Sequence, residues 1–276
     1  MIKLYNIDHF NLDDTFLCGQ CFRWEKDKDG VFWGVAENYA AKIYYADEKT
    51  IFIESTNPDL VYWSRYLNFS TDYNEAEAAL SKDEKIRKCI EAGRGIRILR
   101  QNIWETLVSF IISANNNIPR IKKIINALCE KFGEKIEFCG KTFYGFPTAD
   151  RLKDVKAEDL SEIRAGFRDK YIIDAAQKVS SGEVNLEKLS LMSDSDAACE
   201  LMKIKGIGKK VADCILLFSM GRYKTFPKDV WIKRIMEEEY GVSEKEIDAF
   251  VLKTFGNYAG IAQQYMYYYH AIKKSS

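Results

Sequence analysis

Over residues 1 to about 56 the apolar positions come in short alternating runs separated by turn-forming residues. Cys21-Phe-Arg-Trp24 and Val31-Phe-Trp-Gly-Val35 flank Asp27-Lys-Asp-Gly30, and Lys42-Ile-Tyr-Tyr45 and Thr50-Ile-Phe-Ile53 flank a second turn. Period-two runs joined by Asp/Gly turns predict strands paired as hairpins, hence an antiparallel meander. So aromatic a sheet needs a cover. From Pro58 to about Ala92 the apolar residues Leu60, Trp63 and Leu67, then Ala79, Ile86 and Ile90, recur near helical spacing, and these helices are expected to supply that cover.

Gly93-Arg-Gly95 marks a joint, and beyond it the pattern is helical to the end. Trp104–Ser113 is apolar almost throughout, which predicts the buried central helix of a bundle. Asn115-Asn-Asn-Ile-Pro119 stops it and opens another helix to about Phe132. A loop rich in glycine and aromatics (139–147) and three shorter helices follow, with Gly166-Phe-Arg168 between two of them. A helix from Asp229 and a last one from about Tyr258 close the chain. The fold class expected is α+β: an N-terminal antiparallel β-sheet domain with helical cover over residues 1–95, then an all-α domain over 96–276.

The second domain contains a distinctive turn. Lys203-Ile-Lys-Gly-Ile-Gly-Lys-Lys-Val-Ala-Asp-Cys214 puts Gly206-Ile207-Gly208 between two helical patterns, a helix-hairpin-helix over about 197–220. Two glycines allow a bend that side chains would block, and the isoleucine between them can plug the core. The free amides opening the second helix suit a phosphate. Lys210 falls in that helix's first turn, and Thr225-Phe-Pro-Lys-Asp229 follows.

Composition narrows what this turn can serve. The 276 residues are 47% hydrophobic and 30% charged, enough for two or three compact units with a sizeable core. No apolar run approaches the roughly 18 residues a spanning helix needs. Seven scattered cysteines, odd in number, point to a reduced setting. A cytoplasmic location is expected. Net charge is zero, but its distribution is uneven. Lys203 to Arg234 holds nine basic and two acidic residues, and Arg94 to Lys123 six and one. Local basic faces of this kind can contact phosphates.

A free lysine is only about one part in two to three thousand neutral at pH 7, and only the neutral amine attacks carbon. A helix N-terminus, a neighbouring cation such as Lys209, and burial all disfavour the ammonium form. Lys210 is therefore the candidate amine nucleophile for a Schiff base. Asp229 is the candidate carboxylate to stabilise an oxocarbenium-like transition state at a sugar, and it also suits a helix N-cap before Val-Trp-Ile. On these residues alone a phosphate-binding role for Lys210 stays open.

Gly-x-Gly-x-Lys-Val-Ala-Asp followed by Pro-x-Asp-Val resembles the helix-hairpin-helix DNA glycosylases. Within that superfamily the chain resembles the 8-oxoguanine DNA glycosylase/AP lyases. Gly19-Gln-Cys-Phe-Arg-Trp24, Ser113-Ala-Asn-Asn-Asn-Ile118, Gly166-Phe-Arg168, the Lys210 hairpin and Gly260-Ile-Ala-Gln263 stand in family order over nearly the whole chain. The resemblance implies a base excision repair enzyme acting on double-stranded DNA. It would flip 8-oxoguanine, opposite cytosine, into a pocket, displace the base with Lys210 and nick the strand by β-elimination.

The resemblance also assigns roles residue by residue. Gly19 would offer its carbonyl to the proton that only the oxidised guanine carries, and Gln263 would read the pairing edge. Cys214, one turn after Lys210, and Tyr267 would face the two sides of the base. Asn115 would fill the gap left by the flipped nucleotide, Arg120 and Arg168 would bond the orphaned cytosine, and Phe167 would wedge the stack. Gly206, Gly208 and Lys209 would meet the DNA backbone. No cofactor is implied and no metal site on side chains, although hairpin carbonyls could hold a structural cation in this superfamily.

Lys205 replaces the usual proline before the hairpin, and Phe167 the usual tyrosine. Trp231 and His270 stand where eukaryotic members carry a phosphate-contacting histidine and its acidic partner. The related iron–sulfur branches place four cysteines after the catalytic region, whereas the last cysteine here is Cys214. Cys18-x-x-Cys21 has no second ligand pair and reads as structural. Two other readings stay open: a non-catalytic helix-hairpin-helix module sensing distorted duplex, and a glycosylase for another damaged base, such as an alkylated one.

Overall fold

Residues 1–5, 7 and 9–273 are described by the computed structural model of the chain. The alternating N-terminal stretch forms β1 (Ile2–Leu4), β2 (Trp24–Lys26), β3 (Phe32–Ala36), β4 (Tyr39–Asp47) and β5 (Thr50–Ser55). They make one antiparallel sheet in the order β1-β5-β4-β3-β2, a meander with the first strand added beyond β5. Its register sets Phe32 against Ile43 and Ile43 against Ile53. A helix the alternation did not reveal, α1 (Leu12–Phe16), is capped by the Asn11 side chain and brings Leu12 and Phe16 onto these residues.

The expected cover is only partly correct. α2 (Leu60–Tyr66) does lie on the sheet: Trp63, Tyr66 and Leu67 share its core, and Trp24 Nε1 donates to Tyr66 Oη at 2.7 Å. α3 (Tyr73–Leu80) and α4 (Glu84–Ala92) instead bury Ala76, Leu80, Ile86 and Ile90 in the larger, helical core. An amphipathic face announces that a partner exists, not which one. For α4 the partner is α14 (Ala259–Tyr267), far along the chain.

That core is built round α5 (Ile103–Ser113), started by the Asn102 cap, and the hairpin's second helix α11 (Lys209–Met220). Phe110 of one stacks on Phe218 of the other at 5.4 Å. α6 (Ile118–Phe132) follows the Asn117 cap. The stretch expected as a loop is a two-stranded hairpin, β6 (Lys135–Phe138) and β7 (Lys141–Tyr144), so the second domain is not all-α. Cys139 and Gly140 at its tip both have positive φ, as a tight two-residue turn requires. Phe138 and Phe143 pack their rings on Trp33 of the first sheet, which gives these short strands a surface.

The remaining helices are α7 (Ala149–Leu152), α8 (Ala157–Leu160), α9 (Asp169–Ser180), α10 (Asp194–Leu201), α12 (Val230–Tyr240), α13 (Ile247–Thr254) and α14. α13 was not foreseen from the sequence. Arg23 and Glu105, both buried, tie the two cores at 3.1 Å. Among the described residues no helix is long and apolar enough to cross a membrane.

Candidate active site

The hairpin turn itself fixes where Lys210 points. Gly206 has φ +86°, and a Cβ there would sit 2.5 Å from the Tyr171 ring, so only glycine fits. Gly208 is different: its φ is ordinary (−95°), it caps α11, and an added Cβ would meet nothing within 4 Å. The protein does not require glycine at 208, so the open space is left for something outside it. Lys209 pairs with the buried Asp213 one turn on, which neutralises the cation expected to bear on Lys210. Burial raises the Asp213 carboxyl and the Lys209 ammonium pulls it back.

Lys210 Nζ lies 5.6 Å from the centre of the Phe110 ring, and the Cys214 thiol one turn later lines the same cavity. Burial pushes that thiol up to about 11, against the opposing pull of Lys210. Asp229 caps α12, accepting from Ile232 N at 2.8 Å, so a rigid helix end holds the carboxylate.

The opposite wall comes from the two ends of the chain. Gly19 rides on a loop (17–23) locked by the fully buried Gln20, whose amide donates to Thr15 O and Arg97 O and accepts from Leu99 N, each at 2.8 Å. Gly19 has φ +81°, and a Cβ would meet Tyr267 Cε1 at 3.2 Å. Gly260 lets α14 approach α11 closely, since a Cβ would fall 2.4 Å from Leu217 Cδ1. Three residues later Gln263 faces inward, 5% exposed, with its Oε1 buried and without a hydrogen-bond partner. Its neighbour Gln264 donates to Cys18 O at 2.9 Å, fastening α14 to the Gly19 loop.

Lys210, Cys214, Asp229, Gly19, Gln263 and Tyr267 line one cavity of about 190 Å³. That is below the roughly 300–1,000 Å³ of drug-sized sites and suits a single heterocycle. Burial, then the Asp229 charge, raises the Tyr267 phenol to about 12, so it stays neutral. Tyr267 is only partly buried, with its ring over Gly19. Sequence reasoning missed Phe22, Phe110 and Gln264 in these walls and gave Trp231 no role there. The apolar run of α5 and the Gln263-Gln264 pair were the available signals. His270 lies in a different depression, beside Lys88 and Glu239.

The four residues expected at the opposite strand gather on two adjoining turns. Asn115 is exposed at φ +50°, just past the end of α5, and Arg120 is exposed in the first turn of α6. Phe167 is half exposed and so is no core anchor; its ring carries the Arg168 guanidinium at 4.4 Å. Arg168 itself is buried. It donates to Ala114 O, to Asn115 O and Ala165 O at 3.0 and 3.1 Å, so three of its five N–H groups hold the Asn115 turn and a fourth closes its own turn at Ala165. In this conformation Arg120, not Arg168, has the free guanidinium. Burial, then the Arg120 charge, lowers the Arg168 pKa.

At the hairpin backbone a side chain reaches one of the turn's carbonyls. Lys203 O accepts from Lys178 Nζ, so a cation belonging to the protein already sits on it.

Comparison with known proteins identifies relatives of the whole chain. Residues 2–107 match the family model of the 8-oxoguanine DNA glycosylase N-terminal domain, and residues 108–255 that of the HhH-GPD superfamily of base excision DNA repair proteins. An N-glycosylase/DNA lyase of Saccharomyces cerevisiae is 32% identical over 92% of this chain and 74% of its own. The structure of MBOgg1 with a low-affinity DNA ligand superposes with TM-score 0.95 at 46% identity, covering 99% of this chain and 96% of that one. The Clostridium acetobutylicum 8-oxoguanine glycosylase/lyase, bound to duplex with cytosine opposite 8-oxoguanine, gives 0.94 at 42%, covering 99% and 95%. With both of its halves matched and this identity sustained over almost its whole length, the chain belongs to the 8-oxoguanine DNA glycosylase family of the helix-hairpin-helix base excision repair superfamily.

Proposed function

We propose that the protein is a bifunctional DNA glycosylase/AP lyase that excises 8-oxoguanine from duplex DNA, opposite cytosine, and nicks the strand. One observation carries this reading: an amine, a capped carboxylate, a glycine in the left-handed backbone region and an unpartnered buried amide line a single base-sized cavity. The everted base lies between Cys214 and Tyr267, its oxidised edge toward Gly19 O and its pairing edge toward Gln263. Normal guanine would turn a lone pair to Gly19 O, a mismatch of about 1–3 kcal/mol.

Lys210 Nζ bonds to C1′ as the bond from C1′ to the base breaks, the base leaving with the electron pair and taking up a proton, and Asp229 stabilises the positive charge developing on the sugar. The amine then loses a proton and the C1′–O4′ bond opens to the imine, its oxygen taking up a proton. Removal of a C2′ proton expels the 3′ phosphate, which is the nick. The nucleophile is a side chain, so bond breaking requires no cofactor. Outside the cavity, Asn115 and Phe167 occupy the gap and the stack, Arg120 bonds the cytosine, and Gly206, Gly208 and Lys209 meet the backbone. The protein works as a monomer wherever the genome lies, the nucleoid in a bacterium or archaeon.

Borohydride trapping on an 8-oxoguanine duplex tests the chemistry. A covalent adduct is expected from the native protein and none from Lys210→Gln. Undiminished trapping by that variant, or none by the native protein, refutes the assignment.

A further inference from the structure

α9 meets the hairpin with three side chains at positions 171, 174 and 178, a spacing that puts them on one helix face. The Tyr171 ring fills the space where a Cβ of Gly206 would be. The Asp174 carboxylate accepts from Lys205 N at 2.8 Å and lies 3.4 Å from Lys205 Nζ. Lys178 Nζ donates to Lys203 O and lies 3.3 Å from Asp174 Oδ2. Lys178 and Asp174 are both mostly buried, at 20% and 12% side-chain exposure. A carbonyl and a carboxylate facing one point are the donors that would hold a small cation; here an ammonium on a fixed helix meets them.

We propose that Tyr171, Asp174 and Lys178 are positioning residues that hold the hairpin in its DNA-binding shape, the Lys178 ammonium standing in place of a bound metal cation. Three residues of the turn, 203, 205 and 206, are gripped by one rigid element. The same helix begins just after Phe167, whose ring packs edge-on to Tyr171 at 6.1 Å. The brace therefore sets the hairpin and the wedge in one frame. Lys205, where the family has proline, contributes through its backbone amide, a contact that proline could not make.

The inference rests on the reading of the hairpin as a DNA-binding element, so its test reads binding separately from chemistry. Affinity for a duplex with a tetrahydrofuran abasic analogue is measured in tetramethylammonium chloride and in potassium chloride of equal ionic strength, beside release of 8-oxoguanine. The bulky ion cannot reach a carbonyl; potassium can. The wild-type protein and Lys178→Arg are expected to bind alike in both salts. Lys178→Met is expected to bind ~10- to 100-fold more weakly in tetramethylammonium, the loss of one charge-assisted hydrogen bond, and to recover in potassium. Potassium dependence of the wild-type protein overturns the proposal without any variant. So does a Lys178→Met protein that binds normally, or one weakened alike in both salts. A wild-type protein that binds alike in both salts yet releases no base sinks the proposed activity and leaves the brace standing.

Discussion

Gln263 offers a test in which stability and activity move in opposite directions. Its Oε1 is buried and unpartnered, and an acceptor left so costs about 1–3 kcal/mol of desolvation. Gln263→Met keeps the length of the side chain and removes that acceptor, with a thioether adaptable enough to fill the space. If part of the cost is recovered, the DNA-free protein gains about 1 kcal/mol, which for a chain of this size raises Tm by about 2 °C. The same change leaves the pairing edge of an everted base facing an apolar group. Losing those hydrogen bonds costs about 1–3 kcal/mol in the transition-state complex, or roughly 5- to 150-fold in kcat/KM.

Thermal unfolding by circular dichroism without DNA reads the first effect, and single-turnover base release reads the second. Gln264→Met is the control, because the adjacent amide is bonded to Cys18 O and its loss should lower Tm. A Gln263→Met protein that melts lower than the parent, by as much as the Gln264 variant, would falsify the claim that this amide is kept for the ligand. Unchanged excision would do the same from the other side.

Further expectations follow from the same geometry. Gly206→Ala meets both a left-handed backbone and the Tyr171 ring, and should cost at least ~1–2 kcal/mol of stability by chemical denaturation. Gly208→Ala should stay within about 0.5 kcal/mol of the parent while weakening binding to abasic duplex; equal affinities would show that no phosphate approaches there. Lys209→Met leaves a buried carboxylate alone and should cost about 1–2 kcal/mol, less than a fully buried pair because Lys209 is exposed, with Asp213→Asn in the same chain restoring most of it. The Cys214 thiol is raised from about 9 to about 11 by burial, so the fold favours its protonated form. That contribution is complete below pH 9 and is lost as pH rises toward 11; Cys214→Ala should flatten this part of the stability profile, and an unchanged slope would remove the thiol as its source.

What could be read from the sequence was what neighbours along the chain decide. The strands of the first sheet followed from alternation, and α5, α6 and α12 started where Asn102, Asn117 and Asp229 could cap them. The hairpin was legible because its glycines, its plug and Lys210 lie within five residues. Even the Lys209–Asp213 pair was available from the four-residue spacing. The allocation of α3 and α4 between the two cores was not, since their apolar faces fit either. β6 and β7 were hidden for the same reason: four-residue strands gain their stability from Trp33, a hundred residues earlier. The burial of Arg168 was not legible either, because nothing near it in sequence shows that the carbonyls of Ala114 and Asn115 would converge on its guanidinium.

The choice of lesion shows the same limit at the site itself. On the proposed reading the hairpin supplies Lys210 and Cys214 to act on a sugar and on the flat face of a base, and neither would distinguish one purine from another. The groups that would, Gly19 O and the Gln263 amide, lie 244 positions apart in sequence. They meet through the close approach at Gly260 and the Gln264–Cys18 hydrogen bond. Lesion preference can thus change through either end of the chain without disturbing the hairpin. Gln264→Met should therefore loosen discrimination between 8-oxoguanine and guanine more than it lowers the rate of imine formation at an abasic site, where no base edge has to be read. Competition between lesion and undamaged duplex, set against borohydride trapping on abasic DNA, separates the two; an equal loss in both would mean that Gln264 merely holds the fold.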